Sequence, residues 1–385
     1  MGHYGGVVTL PQPHVNHRGT HLRYTFEDHG QHGAEVENPL FDLLSALQVH
    51  GSISRAAAAQ GQSYRHTWGS LKRWEEVLDA PLVLWAKGRN ARLTPFAQRL
   101  LWAERQARTR LTPHLEALRS ELGRVFALAD DPALQVLDIF ASHDLALPRL
   151  PAIAEERHAL HLSLRFAGSE DALRSLLDGR CLVAGFHVPR LATDSPVFKR
   201  ALRPLLRPGT HKLIGSHWRR QGLMLRPAES GPAGIADLAG GGWRFVNRQP
   251  GSGTRLLMDH LLQQAALSPK GVDGYDSRIE TTHVAVAAAV ASGAADAGLG
   301  IEAAARQFGL DFKPLADEDY YLVCLAPALQ TPALQELRAT LASDAWAQAL
   351  QGLPGYGVQR AGEVLSLTRA LPWWSYRRAK AGPAR

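Results

Sequence analysis

The residues best suited to chemistry lie in one run, Arg248-Gln249-Pro250-Gly251-Ser252-Gly253-Thr254-Arg255. Gly251 and Gly253 carry no Cβ, so the backbone there can approach a ligand closely. The amides of Ser252, Gly253 and Thr254 would leave a helix N-terminus, where the partial positive charge of a helix lies. The hydroxyls of Ser252 and Thr254 and the guanidinium groups of Arg248 and Arg255 stand beside those amides. Together they describe a pocket for a small anion. The alternative is an ordinary strand-to-helix loop with a Ser/Thr cap, its arginines on the surface. Arg255, one residue into the helix, can point outward in either case.

A pocket of this kind needs a strand before the turn and a helix after it. Trp243–Val246 reads as a short buried strand, and Leu256, Leu257, Leu261 and Leu262 recur at helical spacing. From Leu134 onward strands and helices alternate with short loops, which predicts an α/β sheet. Val136–Ala141, Leu162–Phe166 and Cys181–His187 are its first strands. Ser142-His143 and Ser169 fall at strand ends, where open α/β sheets bind ligands. Lys212–Gly215 and Gly222–Leu225 read as two strands, as do Asp311–Leu315 and Tyr320–Leu325. Thr282-His283 opens an alanine-rich helix, and residues 329–350 read as one terminal helix. Ser142, Ser169, Ser252, Gly253 and Thr254 form the expected donor shell, with Arg248 its cation. His143, His187 and His283 lie near the same edge, where packing or capping is the commoner role of a histidine; there they can also donate hydrogen bonds to a bound anion. Asp296 is expected to brace this part of the fold. No G-x-S-x-G elbow, metal motif or phosphate-binding Lys-Ser/Thr loop is present, so the reading is a binder and not an enzyme, with no covalently bound cofactor and no metal.

The 385 residues suggest two or three domains. A hydrophobic fraction of 45% and a charged fraction of 21% fit a globular protein with ample core. The net charge of +7 is concentrated: residues 40–125 hold 13 Lys/Arg against 7 Asp/Glu. A localised basic excess points to a nucleic-acid partner. Cys181 and Cys324 sit in apolar runs, as buried thiols of a reducing compartment do. No apolar run reaches the ~18 residues of a membrane span, so a cytoplasmic location with no membrane partner is expected.

Within that basic region, Leu40, Leu43, Leu44 and Leu47 make one helical stripe. Gly51-Ser52 breaks it, and Ile53, Ala56, Ala57 and Ala59 begin a small-residue helix capped by Ser52. Gly61 ends that helix and Ser63 caps a third, Tyr64–Leu78. Helix, tight glycine turn, helix is a helix-turn-helix pattern. In the third helix Trp68, Leu71, Trp74 and Leu78 should face inward. Tyr64, Arg65, His66, Thr67, Ser70, Lys72 and Arg73 would face double-stranded DNA, with Ser52, Ser54, Arg55 and Ser63 nearby. Two short strands around Lys87-Gly88-Arg89-Asn90 predict a hairpin wing whose Lys87, Arg89 and Arg92 contact phosphates. Thr94-Pro95 starts a long helix with an apolar seam of Leu100, Leu101, Leu111, Leu115, Leu118 and Leu122, expected to pack on a partner subunit. Asp130-Asp131-Pro132 reads as a linker. Residues 1–36 hold six histidines among Gly, Pro and Gln, which predicts a flexible leader.

His50-Gly51-Ser52-Ile53-Ser54-Arg55-Ala56-Ala57, Ser63-Tyr64-Arg65, Trp68, Leu71, Trp74-Glu75, Gly88-Arg89 and Leu93-Thr94-Pro95 resemble the N-terminal domain of LysR-type transcription regulators, and more closely the molybdate-responsive ModE type. A general LysR protein has a Ser-Gln-Pro/Ser-Ala turn where this chain has Ser63-Tyr64-Arg65. Arg248…Gly251-Ser252-Gly253-Thr254-Arg255, Thr282-His283…Ala287-Ala288 and Gly293…Asp296-Ala297-Gly298 resemble type II periplasmic solute-binding proteins, closest to molybdate- and tungstate-binding ones. The resemblances imply an α+β multidomain chain: leader 1–36, winged helix-turn-helix 37–96, dimerisation and linker helix 97–130, two-lobed α/β ligand domain 131–355 and basic tail 356–385. They imply a DNA-binding homodimer, or dimer of dimers, that senses molybdate, tungstate or a molybdenum-linked metabolite. A regulator sensing formate or sulfate, and a molybdenum-handling solute-binding protein without regulatory DNA binding, remain the alternatives.

Overall fold

The computed structural model describes residues 25–27, 35–85, 91–130, 134–158, 160–190, 195–227, 231–240 and 242–371. The leader up to residue 24, Lys87 and Arg89, the Asp131-Pro132 part of the linker and the basic end from residue 372 lie outside the described residues.

The short strands β1 (Thr25–Glu27) and β2 (Glu35–Glu37) pair antiparallel. Helices α1 (Asn38–His50), α2 (Ile53–Ala59) and α3 (Tyr64–Val77) follow, then the hairpin β3 (Val83–Trp85) and β4 (Ala91–Leu93). Gly51 and Gly61 break the helices at φ 62° and 66°, the left-handed region that glycine enters without Cβ strain. Ser52 and Ser63 cap the next helices by accepting from the amides of Arg55 and His66. Leu40, Leu44, Leu47, Ile53, Ala56, Leu71 and Trp74 close one core with Leu82 and Leu93 of the hairpin region. Glu75 accepts from the amide of Leu82, and Gly51 O from that of Ala91, so the hairpin region is tied to α3 and to the Gly51 turn.

Helix α4 (Pro95–Asp130) runs 36 residues, continuing through Pro113. Its seam is divided. Leu101 is buried in the N-terminal core, whereas Leu111, Leu118, Leu122 and Val125 are exposed in one stripe. Another side of α4 packs on the rest of the same chain, a contact the sequence reading did not foresee.

The C-terminal part opens with β5 (Gln135–Ser142), α5 (Leu150–His158), β6 (Leu160–Ala167), α6 (Ser169–Leu177), β7 (Val183–Pro189) and α7 (Pro196–Leu202). The second lobe is built on α8 (Ile235–Leu238), β9 (Phe245–Arg248), α9 (Gly253–Gln264), β10 (Ile279–Glu280), α10 (His283–Ala291), β11 (Ala297–Ile301) and α11 (Glu302–Gln307). Two 15-residue strands join the lobes: β8 (His211–Leu225), which precedes α8, and β12 (Asp311–Leu325). The sheet order is β10-β9-β11-β8-β12-β7-β5-β6. Residues 221–225 of β8 pair with β11, while the end of β12, Glu318–Val323, pairs with β7. The two long strands therefore cross from lobe to lobe, with a register shift between Pro314 and Ala316.

Each crossing strand corrects an expectation of two strands. The run Ser216-His217-Trp218-Arg219-Arg220-Gln221, between the two expected strands, is the crossing itself, with Ser216, His217, Arg219 and Gln221 buried. The terminal helix is also two, α12 (Pro332–Leu341) and α13 (Asp344–Gln351), because Ser343 caps the second by accepting from the amide of Trp346. The expected tail begins too early. Strands β13 (Tyr356–Val358) and β14 (Val364–Leu365) pair with β8, and helix α14 (Leu367–Ala370) follows, with Leu365, Leu367 and Leu371 in the core. The C-terminal fold thus extends to residue 371.

Candidate functional site

Arg248 and Ser252 to Arg255 are buried, Pro250 is exposed at the turn between them, and the run faces the first lobe across a closed cleft. The backbone O of Gly251, a residue at φ 78°, accepts from the amide of Glu170 at the start of α6. Gly253 Cα lies against the His187 ring, whose Nε2 occupies the place a Cβ would take. Three helices, α6, α9 and α10, begin at this cleft, and their first-turn amides have no intrahelical partner.

Inside the cleft the expected residues divide by what their polar atoms already do. Ser252 is consumed as a helix cap: its hydroxyl donates to Gln249 O and accepts from the amide of Arg255. Thr254 Oγ1 accepts from Gln221 Nε2. Ser142 Oγ lies 3.2 Å from His187 Nδ1. Arg255 turns away from the cleft. It pairs with Asp276 at 2.6 Å, donates to Tyr275 O and lies over the Tyr275 ring, so it fastens the loop after α9 and leaves the donor set. Ser169 Oγ, His143 Nδ1, His187 Nε2, both nitrogens of His283 and Arg248 Nη1 are buried without a hydrogen-bond partner, and His187 Nε2 lies 3.6 Å from Glu318 Oε2. His143 and His283 have ring centroids 6.1 Å apart.

Arg248 donates from Nε to Gln249 Oε1 and from Nη2 to Thr281 O. Among the described residues no carboxylate lies within ion-pair distance of it. Burial, then the nearby Arg219 cation, pull its guanidinium down to about 9, still charged at neutral pH. Burial and the Arg248 charge hold His143 down at about 3. Burial likewise holds His187 and His283 well below the usual histidine value, helped by Arg219 and Arg248. All three rings are therefore uncharged at neutral pH, and Arg248 is the cation left for an occupant.

The centre of the network was missed in the sequence. Arg219 on β8, fully buried, donates from Nη1 to Asp144 Oδ2 at 2.8 Å and from Nε to Glu318 Oε1 at 2.5 Å. Its Nη2 donates to His187 Nδ1 at 2.9 Å. A guanidinium only donates, so His187 keeps its proton on Nε2, the nitrogen facing Gly253. Gln221 Nε2 donates to both Glu318 oxygens. Burial pushes Glu318 up despite Arg219, while His217, Arg219 and the amide of Ala146 outweigh burial and hold Asp144 down. Ser216, His217 and Asp144 form a hydrogen-bonded chain, but all three are fully buried and His217 stacks on Tyr320. That chain braces Asp144 and gives no nucleophile access to a substrate. The overlooked signal was a period of two: His217, Arg219 and Gln221 alternate along β8, as Glu318 and Tyr320 do along β12. Asp296, expected as a brace, pairs with Arg244 and Arg226 outside the cleft.

In the N-terminal domain Tyr64, Arg65, His66 and Arg73 are exposed on α3, beside Ser54, Arg55 and Ser63. Ser52 and Ser70 are half-buried, Arg92 is exposed on β4, and Lys72 pairs with Glu75 at 2.7 Å. Thr67 is a correction: it is buried and donates to Gln62 Oε1, because it lies on the side of α3 that carries Leu71 and Trp74. Trp68, expected inside, is half-buried and packs against Tyr64 and Trp85. A separate cavity of about 510 Å³ lies between α4 and α10–α11, lined by Trp102, Arg105 and Phe308 among others. It contains none of the unpartnered cleft groups. No helix among the described residues is long and apolar enough to cross a membrane.

Residues 151–342 match the family described as the PBP superfamily domain. The chain is 33% identical over 205 residues to the uncharacterized protein YvgK of Bacillus subtilis, over 52% of this chain and 64% of that protein, just under two thirds of its length. It is 33% identical over 112 residues to an uncharacterized protein from the 5′ region of the ferredoxin 2Fe-2S gene of Clostridium pasteurianum, over 29% of this chain and 98% of that protein. Among solved structures, an H2O2-bound mutant of Corynebacterium glutamicum OxyR aligns with 82% of this chain and 92% of its own, at 16% identity and a TM-score of 0.41. Through residues 151–342 the chain carries a PBP superfamily domain, and it belongs to one family with the C. pasteurianum protein, nearly all of which it spans.

Proposed function

We propose that the chain is a DNA-binding transcription regulator whose C-terminal domain senses a small anion. The observation that carries the sensing half is Arg248: a buried cation with no carboxylate within ion-pair distance among the described residues and a free Nη1, set among uncharged histidines at the starts of three helices. A buried charge without a partner is costly, and a bound anion removes that cost. By resemblance the anion is molybdate, tungstate or a molybdenum-linked metabolite. The DNA half rests on three helices and a hairpin in a winged helix-turn-helix order, with Tyr64, Arg65, His66 and Arg73 exposed on one face of α3. Such a helix enters the major groove, and its basic residues read bases and phosphates. The exposed stripe Leu111, Leu118, Leu122 and Val125 on α4 supports a homodimer. The ligand acts through its different affinity for the two lobe arrangements.

A gel shift on the DNA upstream of the protein's own coding region tests this reading. Arg65→Ala and Arg73→Ala should abolish the shift. Arg248→Ala should keep it and remove its response to ligand. An unaltered chain that shifts no such DNA would overturn the regulator reading.

A further inference from the structure

The cleft holds hydrogen-bond acceptors as well as donors, and a bare oxyanion satisfies only donors. An uncharged imidazole has one N–H and one bare nitrogen whichever tautomer it adopts. Both nitrogens of His283 are buried and unpartnered, so one of them is an acceptor awaiting a proton donor. Gln221 supplies a second. Its Nε2 is fixed toward Glu318 and Thr254, since the reverse orientation would set its carbonyl against a carboxylate. That leaves Gln221 Oε1 buried, unpartnered and able only to accept. The donors are Arg248 Nη1, His187 Nε2 and the other nitrogen of His283.

We propose that the cleft selects an anion that also donates a hydrogen bond, the class of monohydrogen phosphate, phosphomonoesters and anions bearing their own N–H or O–H. Arg248 takes the charge, His187 donates to an oxygen, and His283 and Gln221 accept from the ligand. The inference rests on the anion reading above and narrows it, favouring a protonated metabolite over molybdate, tungstate or sulfate. A dianion without a proton would turn oxygen lone pairs toward Gln221 Oε1, which has no proton to offer, and would leave the bare nitrogen of His283 unmet in either tautomer, each buried where an unmet hydrogen bond is costly.

Matched tetrahedral anions test it. The full chain is titrated calorimetrically with monohydrogen phosphate and arsenate, then with sulfate and molybdate, at a pH above the second ionisation of phosphate. The protonated pair should bind about tenfold or more tightly than the unprotonated pair, the factor one unmet buried hydrogen bond typically carries. His283→Phe, which keeps a ring and removes both nitrogens, should shrink that preference to about threefold or less. Gln221→Met, which removes the other acceptor, serves where the phenylalanine variant does not fold. Sulfate or molybdate binding as tightly as phosphate would overturn this inference and leave the anion reading standing. Binding of none of the four would bring down the anion reading and this inference with it.

Discussion

Arg219→Met offers the sharpest test of the buried network. Methionine fills much of the arginine stem but removes the charge shared by Asp144 and Glu318, all three of them fully buried. Taking one partner from a buried ion pair costs about 3–5 kcal/mol, because the charge left behind has lost its solvent and its counter-ion. The remaining partners pull toward the lower end of that range. Asp144 keeps the amides of Ala146 and Leu147 and the Tyr356 hydroxyl, and Glu318 keeps Gln221. The loss depends on pH. Burial already pushes Glu318 up with Arg219 in place; without the guanidinium it rises further, and Asp144, held down in the parent, rises as well. A carboxyl raised in the folded state favours folding fully below its unfolded value, and that contribution is lost as pH climbs through the folded value. The variant should therefore lie close to the parent in acid and fall behind as pH approaches neutrality. Urea unfolding of both proteins across that range measures it. A deficit under about 1 kcal/mol at neutral pH, or one that grows on acidification, would refute the reasoning. Adding Glu318→Gln to the variant should restore part of the loss.

Gly253→Ala should oppose closure, since its Cβ would fall on His187 Nε2; overpacking of this kind costs about 1–3 kcal/mol and should appear in calorimetry as weaker anion binding without loss of fold. Ser52→Ala and Ser63→Ala each remove a helix cap and should lower the stability of the N-terminal domain by about 1 kcal/mol in thermal unfolding. Leu118→Glu combined with Leu122→Glu places charge on the exposed stripe of α4 and should shift the chain to monomer in sedimentation; a dimer that persists would move the subunit contact elsewhere.

Where local rules suffice, the sequence was legible. Gly51-Ser52 and Gly61…Ser63 state two turns and two caps in their own residue types, and the three helices lie where those signals put them. The Gly251-Ser252-Gly253 turn was legible for the same reason. Thr67 was misassigned because a threonine on a basic helix looks exposed, while helical periodicity places it near Leu71 and Trp74. The crossing strands were hidden by long-range pairing. Arg219 and Glu318 are strand residues only because each neutralises the other, 99 positions apart. Read singly, each is a polar break. The split seam of α4 has a related cause: a leucine row cannot say whether its cover comes from another subunit or from a later domain of the same chain.

The placement of α4 gives the strand crossing a mechanical consequence. On the first lobe, Ser120 meets Ser163 of β6, Arg124 pairs with Asp138 of β5, and Glu121 pairs with Arg165 of β6. On the second, Arg110 makes a double hydrogen bond to Glu280, two residues before the cap of α10, and α4 packs along α10 itself. Glu280 is buried whereas Arg110 is half-exposed, so this pair is far better shielded from solvent than an ordinary surface salt bridge. One continuous helix is thus fastened to both lobes, while β8 and β12 are the covalent strands joining those lobes and run through Arg219 and Glu318. A change in lobe angle at that crossing must either break one set of α4 contacts or carry the helix with it. His283 begins α10 inside the cleft, so the helix that would meet the proposed anion is the one that α4 packs along.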